Sequence, residues 1–160
     1  MEKKIKALVM DVDGTMTDGS IWISPYGEVM KQFYVRDGQA IKHILPEKDV
    51  MPIVITGRES EIVSRRCEEL NISILVQNSR DKKEDLQKIL NKLALSSKEV
   101  AYIGDDVNDM EAMSICGLTG CPSDADEAIR KSVDFISSFP GGRGAVREFV
   151  EYIIHKTMQK

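Results

Sequence analysis

Residues 5–19 read IKALVMDVDGTMTDG, an apolar run that ends on two aspartates and then turns at a glycine. Ile5–Met10, apolar but for Lys6, has the length and composition of a strand buried on both faces, the pattern of a parallel sheet rather than of a half-wet one. Covering both faces takes helices on each side, so this one stretch sets an expectation of alternating strand and helix. Asp11 and Asp13 stand where the strand ends. Like charges at that spacing repel. Folding alone gives no reason to keep them; chemistry does.

Working outward, similar apolar runs recur at Val50–Thr56, Ile72–Gln77 and Val100–Ile103, with weaker strand signals at Gly117–Cys121 and Val133–Ile136. Helix-like segments lie between them at Gln39–Leu45, Glu59–Leu70 and Asp81–Leu93, the last with Leu86, Ile89, Leu90 and Leu93 at helical spacing. The stretch GRGAVREFVEYIIHKTM, 142–158, closes the chain as an amphipathic helix. Strand and helix in alternation predict an α/β fold, a Rossmann-like doubly wound parallel sheet. One piece breaks the rhythm. Ile21–Ile23 and Val29–Val35 flank SPYGE and predict a β-hairpin over about 19–35, protruding after the first strand. It carries Trp22, Tyr26, Phe33 and Tyr34. An isolated hairpin is marginal in water, so its apolar face needs a partner such as another subunit.

With 160 residues, a net charge of −4 and 42% apolar residues, the chain suits one domain over 1–160 with a sizeable core. Mild acidity lacks the basic patch of a nucleic-acid binder. No apolar run approaches the ~20 residues that cross a bilayer, and the N-terminal residues do not read as a secretory leader. Cys67, Cys116 and Cys121 are odd in number and lack metal-site spacing. These features predict a cytoplasmic protein with reduced cysteines and no membrane partner.

In open parallel sheets ligands bind beyond the carboxyl ends of the strands. The four strong strands are followed by DVDGT, TGR, QNSRDKK and GDDVND, which brings Asp11, Asp13, Thr56, Lys82, Asp105, Asp106 and Asp109 to one rim. So many carboxylates gather only around positive charge, and hard oxygen donors favour Mg²⁺. Such a cluster with one threonine and one lysine suits a phosphoryl group. Asp11 is then the nucleophile and Asp13 the group that protonates the leaving oxygen and later deprotonates water. Gly14 lets the backbone turn so that amides face the phosphate.

The ordered set DVDGT, TGR, a lysine before a helix, and GDDVND resembles the four motifs of the haloacid dehalogenase superfamily of phosphatases, over nearly the whole chain. DGTMTDG, YVRDG, ITGR and GGRGAVRE are similar to its capless branch, which acts on sugar-acid phosphates such as 3-deoxy-D-manno-octulosonate 8-phosphate (KDO 8-phosphate). The resemblance implies that Asp11, the backbone carbonyl of Asp13, and Asp105 hold Mg²⁺, with Asp106 and Asp109 in support. It implies that Thr56 and Lys82 bind phosphate, although Lys83 is adjacent and the usual glycine after Gln77 is missing. It also implies a homotetramer in which the hairpin covers a neighbour's active site. It further implies that Gly57 and Arg58 belong to the substrate-binding loop. Nonulosonate 9-phosphate phosphatases of sialic-acid synthesis tend to carry Glu where Arg58 stands, and a guanidinium there fits the carboxylate of a 2-keto sugar acid. Arg66, Arg36 and Arg143 are weaker candidates for that contact.

Plainer readings compete. Thr56 could cap the following helix, Lys82 could be a solvated lysine at a helix start, and Arg58 could pair with Glu59 or Glu61 on the surface. A response-regulator receiver uses similar residues, but its phosphorylated aspartate follows a middle strand, which here ends in ITGR. An inactive assembly domain, like the similar C-terminal part of CMP-sialate synthetases, fits poorly with a chain that keeps Asp11, Asp13 and Asp105.

Overall fold

In a computed structural model of the chain, residues 4–158 are described, with side chains to residue 156. The elements run β1 (Ala7–Met10), β2 (Trp22–Ser24), β3 (Gly27–Met30), α1 (Val35–Gln39), α2 (Leu45–Glu47), β4 (Met51–Ile55), α3 (Glu61–Glu69), β5 (Ile74–Val76), α4 (Lys82–Leu93), β6 (Val100–Ile103), α5 (Met110–Met113), β7 (Leu118–Cys121), α6 (Glu127–Arg130), β8 (Phe135–Ile136) and α7 (Ala145–Met158). Six strands form one sheet in the order β5-β4-β1-β6-β7-β8, every pairing parallel. After β1 the chain builds outward through β4 and β5, then crosses to β6 on the other side. The carboxyl end of β1, between β4 and β6, is therefore the switch point where an open sheet leaves a crevice.

Strand alternation divides the core. Leu8 and Met10 of β1 join Val54, Ala101, Ile103 and, from α7, Phe149, Val150 and Ile153 on one face. Ala7 and Val9 join Ile53, Ile55, Val100, Tyr102 and, from α4, Leu86 and Leu90 on the other. Both faces are dry, as the unbroken apolar run of β1 requires. The helices start on side-chain caps: Ser60 accepts the N–H of Val63 for α3, and Asp81 that of Glu84 for α4. Cys67, Cys116 and Cys121 are free and buried, and burial pushes the Cys116 thiol up to about 12. No helix among the described residues is long and apolar enough to cross a membrane.

The hairpin exists, with one correction to its far side. Its second strand stops at Met30 instead of running to Val35. Phe33 instead forms a single bridge with Thr17, which closes the excursion at its base. Val35 opens α1 and is largely exposed. The helical chain from Val35 through Ile44 to Glu47 thus begins earlier than the expected Gln39.

Asp37 lies in that early start and carries a prediction. It is buried, and its Oδ1 accepts the N–H of Arg147 at 2.9 Å, tying α1 to α7. Burial raises its carboxyl to about 6, against the pull of the Arg147 and Gly144 amides and of the Arg66 charge. A group that holds its proton more tightly when folded than the ~3.9 of an unfolded chain loses folding free energy as pH rises across that interval, and nothing further above it. Asp37→Asn keeps an acceptor for Arg147 without the charge. It is expected to exceed the wild type by about 1–2 kcal/mol at pH 7 and to match it near pH 4. Urea unfolding at both pH values measures this, and a difference independent of pH would contradict it.

Candidate active site

The loop after β1 runs through Val12–Met16, with Gly14 at φ +90°. A Cβ at Gly14 would lie 2.1 Å from Oδ2 of Asp105, so the position requires glycine twice over, for its backbone and for its missing side chain. The chain's C-terminal glycines press on the same loop from outside. The N–H of Gly142 donates to the Thr15 carbonyl at 3.1 Å, and a Cβ on Gly141 would fall 1.9 Å from the Gly14 carbonyl oxygen. The run GGRG before α7 thus clamps the loop that carries Asp11 and Asp13.

Asp11 is buried, and its Oδ1 accepts from Lys82 Nζ at 2.7 Å. The same ammonium donates to Oδ1 of Asp109 at 2.7 Å. Lys82 is itself buried, and it is the first residue of α4, placed there by the Asp81 cap. Burial would strip its proton, but the charges of Asp11 and Asp109 outweigh it and hold the ammonium above its usual range. Burial, then the charge of Asp109, raises the Asp11 carboxyl well above the usual carboxylate range, with Lys82 opposing. Asp105 is raised to about 6, again chiefly by burial, while Thr15 Oγ1 donates to its Oδ1 at 2.8 Å.

Asp109 is held from three sides. Besides Lys82 it accepts from the Tyr102 hydroxyl at 2.9 Å and from the amides of Asp105 and Asp106 at 3.2 and 3.4 Å. Burial raises the Tyr102 hydroxyl well above its usual range, so it stays a donor. One oxygen each from Asp11, Asp105 and Asp109 lie within 4.8 Å of one another. Three hard carboxylate donors converging at a strand end are a donor set for a divalent cation. Asp109, expected in a supporting place, offers one of these three oxygens, and both of its oxygens also accept hydrogen bonds. Asp106 is exposed and caps its own turn through Val107 N–H at 2.7 Å.

The other expected residues fall as follows. Asp13 is half-buried, and its carboxylate pairs with Lys31 of the hairpin. Thr56 is buried just past β4; its N–H donates to Val76 and its carbonyl accepts from Ser79. The cap of α3 is Ser60, so the capping role open to Thr56 is taken by another residue. Gly57 and Arg58 are exposed in the loop between them, and Arg58 lies 3.7 Å from Glu28 of the hairpin. Lys83, half-buried, is not in the cluster; Lys82 is. Arg66 is engaged elsewhere: it pairs with Glu69 at 2.8 Å, lies over the Phe33 ring and crosses Gly38, where a Cβ would meet it at 2.4 Å. Arg36 and Arg143 are exposed. Thr15, Tyr102, Lys31 and Glu28 were not anticipated. Thr15 lies within the quoted DGT and was findable by its spacing from Asp11; the hairpin pair carried no local signal.

A parallel sheet whose switch point gathers buried carboxylates around a lysine, with a small hairpin after β1 and no cap domain among the described residues, defines a hydrolase of one kind. A family model described as haloacid dehalogenase-like hydrolase matches residues 69–148, and the chain belongs to that family as a phosphoric monoester hydrolase. Its relatives are more particular. The 3-deoxy-D-manno-octulosonate 8-phosphate phosphatase of Escherichia coli (strain K12) is 38% identical over 152 residues, 95% of this chain and 80% of that protein. The enzyme of that name from Moraxella catarrhalis, solved in complex with magnesium ion, phosphate ion and KDO, aligns with a TM-score of 0.91 at 38% identity, covering 96% of this chain and 88% of the other. The cobalt-bound form of the Haemophilus influenzae enzyme aligns with a TM-score of 0.92 at 34% identity, covering 96% and 90%.

Proposed function

We propose that this protein removes phosphate from KDO 8-phosphate, with Mg²⁺ bound and through a phosphorylated aspartate. The observation that carries the reading is the buried contact of Asp11 with Lys82 at the carboxyl end of β1, inside the cluster completed by Asp105 and Asp109. The likeness to phosphatases of that name supports the substrate.

In this mechanism a carboxylate oxygen of Asp11 bonds to phosphorus while the ester P–O bond breaks. Asp13 gives a proton to the departing sugar oxygen. A water then attacks phosphorus, Asp13 takes its proton, and the bond to Asp11 breaks. Lys82 offsets the negative charge that gathers as an anionic nucleophile meets an anionic ester. Thr56 and the backbone of Gly57 offer donors to the phosphoryl oxygens, and half-exposed Arg58 offers a forked contact to the sugar acid's carboxylate. The oxygens of Asp11 and Asp105 and the Asp13 carbonyl, with Asp109 adjoining, would hold the Mg²⁺, which supplies charge neutralisation at the phosphoryl group.

Purified enzyme is expected to show at least ~10-fold higher kcat/KM on KDO 8-phosphate than on a nonulosonate 9-phosphate, a difference of about 1.4 kcal/mol in transition-state binding. The reverse ratio would assign the chain to sialic-acid-type substrates.

We infer further a cytoplasmic homotetramer with the hairpin over a neighbour's site. The hairpin exposes Trp22, Ile23, Tyr26, Val29 and Met30, with Ile23 70% exposed and Tyr26 fully so, an apolar surface that water alone covers poorly. Sedimentation equilibrium of the wild-type chain is expected to show four copies, and a Trp22→Ser, Ile23→Ser variant fewer. A monomeric wild type would refute the assembly.

A further inference from the structure

Lys31 lies one residue beyond β3, in a hairpin whose other long side chains are mostly exposed, yet its own side chain is wholly shielded from solvent. The arrangement inverts the usual order for a small strand pair, where lysine is wet and the apolar residues are covered. Its ammonium donates to Oδ1 of Asp13 and lies 3.1 Å from Oε2 of Glu28. Glu28 accepts the Ser60 hydroxyl on its other oxygen and lies 3.7 Å from Arg58. Burial works against the charge of Glu28, but Ser60, Lys31 and Arg58 together hold its carboxyl below its usual range. A chain of contacts thus runs from the loop after β1, through the hairpin, to the loop after β4.

We propose that Lys31 is a positioning residue for Asp13: it fixes which oxygen of that carboxyl carries the shuttled proton. The proposal rests on the acid/base reading of Asp13 given above. An ammonium only donates, so Oδ1 of Asp13 is an acceptor throughout and the proton rides on Oδ2. In the first step Asp11 bonds to phosphorus, the ester P–O bond breaks, and its electron pair takes the Oδ2 proton. Asp13 is left as an anion that still accepts from Lys31 through Oδ1. In the second step water bonds to phosphorus, its proton passes to Oδ2, and the P–O bond to Asp11 breaks. Lys31 neither gains nor loses a proton. Glu28 holds the ammonium in place.

The dependence on the leaving group tests this. A sugar-acid phosphate leaves as an alkoxide that needs a proton, whereas 4-nitrophenyl phosphate leaves as a stable anion that does not. Rapid-quench experiments would measure phosphorylation of the enzyme by each ester. In Lys31→Met, transfer from the sugar-acid phosphate is expected to slow about 100-fold with little change in KM, while the nitrophenolate burst keeps its rate. Lys31→Arg is expected to recover part of the loss. Burst amplitude counts competent sites, so a folding defect lowers amplitude rather than rate. Equal slowing on both esters, at full amplitude, would make Lys31 structural and overturn the proposal. Asp13→Asn run in parallel separates the premises. If it shows no leaving-group dependence, the reading of Asp13 fails. If it shows one and Lys31→Met does not, the role of Lys31 alone fails.

Discussion

Asp11→Asn is expected to lower kcat on the sugar-acid phosphate by roughly four or more orders of magnitude, the scale seen when a covalent nucleophile is removed. An amide is not a usable nucleophile at phosphorus, and the other carboxylate of the loop, Asp13, is paired with Lys31. The same substitution is expected to leave the fold intact, and the reason lies in the charges around it. Burial and Asp109 both disfavour the ionised form of Asp11, and only Lys82 pulls the other way. A neutral isostere removes the repulsion and forfeits one charge-assisted contact, while Lys82 keeps its bond to Asp109. Thermal unfolding without divalent cations is therefore expected to show a Tm no lower than that of the wild type. Retention of activity, with deamidation excluded by mass spectrometry, would dismiss Asp11 as the nucleophile. A large fall in Tm would show that Asp11 is there for the fold.

The contrast between Asp11 and Lys31 shows how far the chain could be read before folding. β1 and β6 were legible almost to the residue because a strand buried on both faces leaves an unbroken apolar run with no second interpretation. The rim residues after them followed from one topological rule and needed no contact to be known. The far side of the hairpin was misread because Val29, Tyr34 and Val35 all favour strands locally. There the structure places a helix instead, and Asp37 within it meets the Arg147 amide, more than a hundred positions away. The partners of Asp109 were hidden for a similar reason. Its importance comes from Tyr102 and Lys82 converging on it, and neither is its neighbour in sequence. Arg66 was offered as a substrate contact on charge alone, and packing found it other partners in Glu69 and the Phe33 ring.

Lys82→Met is expected to damage both the fold and the chemistry, which sets it apart from Asp11→Asn. Among the described residues Lys82 is the one ammonium bonded to the carboxylates of Asp11 and Asp109, and its side chain is only 3% exposed. Without it two buried carboxylates face each other, with Asp105 close by. Removing one partner of a buried pair typically costs about 3–5 kcal/mol. Denaturant unfolding in the absence of divalent cations is expected to show a loss of that size. Added Mg²⁺ is expected to restore more stability to Lys82→Met than to the wild type, because a cation that binds the carboxylates only when they are gathered favours the folded state. Turnover is expected to fall at least ~100-fold even with Mg²⁺ saturating, since a positioned donor at the phosphoryl group is worth about that much. Lys83→Met, one residue along on the same helix, is expected to change neither quantity. If Lys82→Met melted and turned over like the wild type, Lys82 would be the solvated helix-start lysine that its sequence context also allowed. The reading of β1's end as a charge-balanced phosphoryl site would lose its centre.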